Sequence, residues 1–129
     1  ACAAAVKVLS ILREESLVAK TRTLGIELMA RLQARFGQHP HVAEIRGEGL
    51  LIGIEVVRDR ETLEPFAEAD GITNKLVAAA MQAGVFFYPG GTGAVRDILC
   101  IGAPMIIGEA EMDLIVNALD QALATALPR

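Results

Sequence analysis

The chain has 129 residues, 53% of them hydrophobic, and a formal net charge of −4. That length fits one domain, and the negative balance excludes the basic footprint of a nucleic-acid or anionic-membrane binder. No apolar run approaches the roughly 18 residues of a membrane span, and so apolar a composition in so small a domain predicts surface that something else covers.

Residues Ala1 to Gly37 read as helical. Val8, Leu9 and Leu12 line one face, and Leu17, Leu24, Leu28, Leu32 and Phe36 form a second stripe at three-to-four spacing. The stripes do not align across Glu14 to Ser16, which predicts a bend or two abutting helices there. Gly37 and Pro40 stop the helix. Val42 to Ile45 reads as a short strand, Arg46 to Gly49 as a tight turn, and Leu50 to Val57 as a buried central strand.

Arg58 to Ala69 is a charged loop containing Pro65. Asp70 is the expected N-cap of a helix over Gly71 to Ala83 that buries Ile72, Leu76, Ala79 and Ala80. Gly84 ends it. Val85 to Tyr88 reads as a strand, Pro89 to Gly93 as a loop, and Ile98 to Ile101 as another strand. A last helix starts near Glu109, with Glu109, Glu111 and Asp113 at its positive dipole end, and Pro128 closes it. The expected fold is α+β: a small sheet of about four strands, largely antiparallel, with helices mainly on one face.

Chemistry is harder to place. Gly47, Gly49 and Gly53 have GxGxxxG spacing and lead into a strand, whereas a dinucleotide fingerprint needs its glycines between strand and helix. The Gly90 to Gly93 loop lacks the Gly-Lys-Ser/Thr of a phosphate loop. His39-Pro40-His41 offers two imidazoles but no third ligand cluster nearby, so no metal site is expected. Cys2 and Cys100 form no CxxC pair and, without a secretory signal, read as reduced thiols of a cytoplasmic protein. Lys7, Lys20 and Lys75 fall on polar helix faces, where nothing desolvates an amine for Schiff-base work. No catalytic residue emerges.

Several stretches, in order, resemble the C-terminal small domain of class III aminotransferases, pyridoxal-phosphate enzymes of fold type I. The opening A-C-A-A-A-V-K-V-L-S-I-L-R-E-E is similar to the helix that follows an Asn-Pro in that family. The run H-P-H-V-A-E-I-R-G-E-G-L-L-I-G-I-E resembles its Arg-Gly-x-Gly-Leu signature. G-V-F-F-Y-P-G-G and D-I-L-C-I-G-A-P-M-I-I-G-E-A-E-M-D resemble its ending, with Pro104 as the aligned proline. The resemblance implies an enzyme that moves an amino group between an amine or amino acid and a keto acid. It implies a single domain over 1–129 that lacks the large domain with its Schiff-base lysine, and a chain inactive on its own, with no cofactor of its own. It also implies a homodimeric parent. The start at Ala1, inside a helical pattern and without Met, fits a piece of a longer chain.

One departure concerns the substrate carboxylate. Ornithine- and 4-aminobutyrate-type members carry an Arg four residues before the aligned proline, where this chain has Cys100. Arg96 lies one turn earlier and substitutes if it swings inward, since a guanidinium grips a carboxylate bidentately. The plain alternative is a solvated Arg96 or one paired with Asp97. Arg46, between signature residues and beside Gly47 and Gly49, either holds the turn through backbone carbonyls or sits at a dimer or domain interface. The competing reading of the whole chain is a free-standing α+β module that binds a ligand or protein without catalysis.

Overall fold

The apolar stripes separate at Ser16, whose backbone takes the left-handed conformation (φ 53°) and splits one helical stretch into two. The computed structural model describes residues 2–93 and 95–128. Helix α1 spans Cys2–Glu14 and α2 spans Leu17–Phe36. Strands β1 (Val42–Glu48) and β2 (Leu51–Val56) follow, then α3 (Ile72–Gln82), β3 (Tyr88–Thr92), β4 (Val95–Gly102) and α4 (Glu109–Ala126). The strands form one antiparallel sheet in the order β1-β2-β4-β3.

Alternation along the strands decides which face is covered. Val42 and Ile45 of β1, Ile52, Ile54 and Val56 of β2, and Leu99 and Ile101 of β4 are all buried. They form one core with Leu28, Leu32 and Phe36 of α2, Leu76 of α3, and Met112 and Leu119 of α4. Each such aliphatic side chain contributes about 1.5–3 kcal/mol by leaving water. Helices α2, α3 and α4 thus lie on one face of the sheet, as α+β patterning predicts. Helix α1 does not join them: none of its described residues is buried, and Val6, Val8 and Leu9 remain exposed.

Two boundaries stand out as different from the sequence reading. The β1–β2 turn is not Arg46 to Gly49 but the two residues Gly49 and Leu50, because β1 runs on to Glu48. A two-residue hairpin needs positive φ at its first central position, and Gly49 supplies it (φ 57°). Gly47 is in the strand, and its lack of a Cβ matters there because one would lie 2.2 Å from the Leu51 carbonyl oxygen. The third strand is Tyr88–Thr92 instead of Val85–Tyr88. Residues 84–87 close α3, with the Val85 amide donating to the Ala80 oxygen and Phe87 in the core. Pro89 is tolerated in β3 because that strand is at the sheet's edge.

The edge strand β1 has its Ile45 carbonyl engaged by the Gln33 side-chain amide at 3.1 Å. Asp70, expected as N-cap, sits in a 3-10 turn, and the cap position of α3 is Gly71 (φ 58°), which has no side chain to offer. In α4, the Glu111 carboxylate accepts from the Gly108 amide at 2.8 Å, satisfying one donor at its N-terminus.

Candidate functional site

The face of the sheet turned away from the helices is uncovered. Register places Arg46, Gly53, Cys100 and Tyr88 in one row straight across all four strands. Glu44, Glu55, Ile98 and Gly90 form the neighbouring row. Leu51 and Tyr88 are each about two-thirds exposed (69% and 67%), unusual for large side chains on a regular sheet. The middle of the face is flat, because Gly53 and Gly90 flank Cys100 without side chains; a Cβ at Gly90 would lie 2.8 Å from the Cys100 sulfur.

Arg46 stands on this face, not in the turn. Its guanidinium pairs with Glu44 (2.6 Å) and Glu55 (2.8 Å), and the Glu55 hydrogen bond first of all raises its pKa. It therefore bridges β1 and β2 through side chains and, among the described residues, makes none of the backbone-carbonyl bonds expected of a turn holder. Its two carboxylates already saturate its charge.

Arg96 lies on the same face, two residues along β4 from Ile98 and four from Cys100. It is half-buried rather than solvated, and it does not pair with Asp97. Nη1 donates to the Gly93 oxygen at 3.0 Å and Nη2 to the Phe66 oxygen at 3.4 Å. Its Nε is buried without an acceptor among the described residues. Among the described residues, this cation is held by neutral carbonyls alone.

Asp97 points the opposite way, into the helical layer, and is the single buried charged residue of those described. Its Oδ1 accepts from the Thr73 hydroxyl at 2.6 Å and from the Thr73 amide at 3.3 Å. Thr73 is in the first turn of α3, so β4 supplies the anionic cap that Gly71 cannot. Sequence reasoning missed this contact, since the partners are 24 residues apart and no local spacing encodes it.

The remaining candidates fall elsewhere. Gly47 and Gly49 shape the β1–β2 hairpin, and the Pro104 carbonyl accepts from Ile107 at 3.2 Å in the segment leading to α4. The His39 Nδ1 accepts from the His41 amide at 3.2 Å; burial, and then His41, lowers the His39 pKa below the ordinary imidazole value. No three His, Cys, Asp or Glu among the described residues are placed to hold a metal. Lys7, Lys20 and Lys75 are all exposed on helices. No helix among the described residues is long and apolar enough to cross a membrane.

The described residues thus form an α+β layer with one bare sheet face, and Lys7, Lys20 and Lys75 are exposed. Residues 1–123 match the family model for aminotransferase class-III. A taurine–pyruvate aminotransferase of Bilophila wadsworthia is 37% identical over 127 residues, covering 95% of this chain and 27% of that protein. The solved (S)-enantioselective omega-transaminase from Thermomicrobium roseum superposes with a TM-score of 0.88 at 31% identity, covering 98% of this chain and 27% of that one. The omega transaminase from Pseudomonas jessenii, solved in complex with PMP, gives 0.80 at 32% identity, covering 92% of this chain and 25% of that one. The chain belongs to the class III aminotransferase family, and it spans little more than a quarter of the length of these relatives.

That family uses pyridoxal phosphate, and the residues present here do not fit it. A Schiff-base lysine needs a desolvated amine, and all three lysines of the chain are exposed on helices.

Proposed function

We propose that residues 1–129 are the C-terminal small domain of a pyridoxal-phosphate-dependent aminotransferase that transfers an amino group from an amine or amino acid to a keto acid. The observation that carries this reading is the bare sheet face, with Leu51 and Tyr88 presented to solvent beside a flat glycine floor and a half-buried Ile98. Large apolar side chains left exposed on an otherwise uncovered sheet face mark an interface. A large domain packs on that face and along α1, and it supplies the Schiff-base lysine. A groove of about 650 Å³ between the start of α2 and the Met105–Ile107 segment is a second uncovered apolar surface. A homodimeric parent accounts for exposed apolar area beyond what one domain contact covers. Two free thiols suit a reducing, cytoplasmic setting.

Arg96 is the residue proposed to bind the substrate carboxylate. Two neutral carbonyls hold it, one of them at 3.4 Å, so a carboxylate that offers charge-assisted bidentate bonds displaces them favourably. Arg46 is unsuited to that role because Glu44 and Glu55 already occupy it.

The test is a cofactor titration of the 129-residue chain beside the longer protein that contains it. The longer protein is expected to give a stoichiometric aldimine absorbance and the isolated chain none. A stoichiometric aldimine at one lysine of the isolated chain overturns the assignment. Absence from both favours a binding module without catalysis.

A further inference from the structure

Arg96 and Asp97 are neighbours on β4 that face opposite sides of the sheet, and the structure ties both to the same connection. The Asp97 carboxylate grips Thr73 at the start of α3 through two hydrogen bonds (2.6 and 3.3 Å). The Arg96 guanidinium rests on the carbonyl of Phe66, in the segment that leads into α3. Between Phe66 and Thr73 lie Ala67, the 3-10 turn Glu68–Asp70, the left-handed Gly71 and the buried Ile72. Gly71 offers no side-chain cap, so the polar tie between the start of α3 and β4 is the one Asp97 makes. Phe66 is pinned at its other end by its ring, which is in the core.

We infer that Asp97 is a positioning residue for Arg96: its grip on Thr73 fixes the Phe66 carbonyl on which the guanidinium parks. The inference rests on the carboxylate-binding reading of Arg96. A buried carboxylate with one hydroxyl and one amide donor has a defined geometry. Loosening it lets the 66–73 segment drift from β4, and Arg96 loses its resting partner together with its aim along the open face.

The experiment uses the longer, cofactor-loaded protein with pyruvate as the keto-acid probe and propanal as an acceptor without a carboxylate. Four variants are compared: Arg96→Ala, Asp97→Asn, Thr73→Val and Thr73→Ser. Arg96→Ala is expected to raise KM for pyruvate about tenfold or more, the size of one lost charge-assisted bond, and to leave KM for propanal unchanged. Asp97→Asn and Thr73→Val are expected to raise KM for pyruvate severalfold with the same selectivity. Thr73→Ser, which keeps both donors, restores the parent value. A purely structural role would lower Tm and depress both substrates alike. If Arg96→Ala leaves pyruvate untouched, the carboxylate reading itself falls and this inference with it. If Arg96→Ala acts but neither Asp97→Asn nor Thr73→Val shifts the pyruvate-to-propanal ratio, only the positioning role is overturned. Should Asp97→Asn fail to fold, the Thr73 pair decides the matter.

Discussion

Gly25 in the middle of α2 rests directly on Gly49 in the β1–β2 turn: a Cβ on Gly25 would lie 2.2 Å from the Gly49 carbonyl oxygen. Gly25 is buried, and Gly49 has a positive φ of 57°. Two residues without side chains thus let the hairpin sit against the helix. A clash with backbone cannot be relieved by rotating a side chain. Gly25→Ala is therefore expected to destabilise the domain by about 3 kcal/mol or more, the upper end of overpacking costs. Gly49→Ala is expected to cost about 1–2 kcal/mol through its left-handed backbone. Denaturant unfolding of both variants checks the order; equal stability of Gly25→Ala and the parent would show that the helix shifts freely.

Leu99 is fully buried at the centre of β4. Leu99→Ala is expected to cost about 2–5 kcal/mol, the transfer loss plus an unfilled cavity. By contrast, Arg35→Ala removes an exposed pair with Asp120 at 2.8 Å that links α2 to α4. That change should cost less than about 1 kcal/mol and less still in high salt. A thermal melt of each variant at low and high ionic strength separates the two cases.

Acid sensitivity should come in two windows. Burial lowers the His39 pKa in the folded chain, with His41 and Arg35 acting the same way and Asp120 opposing. The unfolded chain then binds the proton more tightly, so stability rises with pH across this window. The contribution is complete above the ordinary imidazole value of about 6.5 and is lost as pH falls through the folded value. Asp59, lowered chiefly by the hydrogen bond from the Thr62 amide, follows the same sign at a lower range. His39→Asn keeps an acceptor for the His41 amide without titrating. It should flatten the upper window alone, as measured by unfolding free energy against pH.

The 129-residue chain should self-associate as its concentration rises, because Leu51 and Tyr88 on the sheet and Val6, Val8 and Leu9 on α1 are exposed. Leu51→Lys combined with Val8→Lys is expected to shift the population toward monomer in sedimentation velocity. A wild-type chain that stays strictly monomeric at high concentration would remove the interface reading of these surfaces.

The sequence carried the parts of this fold that local chemistry encodes. The break at Ser16 was legible because two apolar stripes fell out of phase, and Ile72, Leu76 and Ala80 of α3 followed from their spacing, whereas Ala79 is only partly buried. Gly49 was legible as a turn residue, but the turn's position was not, since Gly47 serves a close approach between strands rather than a change of direction. Pro89 obscured β3, because only knowledge of the strand order shows that it lies at an edge. Asp97 was illegible as the cap of α3, for the partner that makes it one comes from another element. The bare face was foreseen only as an excess of apolar composition; register alone shows that Arg46, Gly53, Cys100 and Tyr88 share a row.

The two rims of the sheet have a consequence for how the domain meets its neighbours. Gln33 occupies a carbonyl of β1, and Pro89 leaves β3 without one of its amide donors. Neither rim offers a new strand a full ladder of hydrogen bonds. Growth of the sheet by strand addition, the usual route from an exposed apolar β-structure to fibrils, is thus discouraged at both ends. Contact is left to broad surfaces, where shape selects the partner.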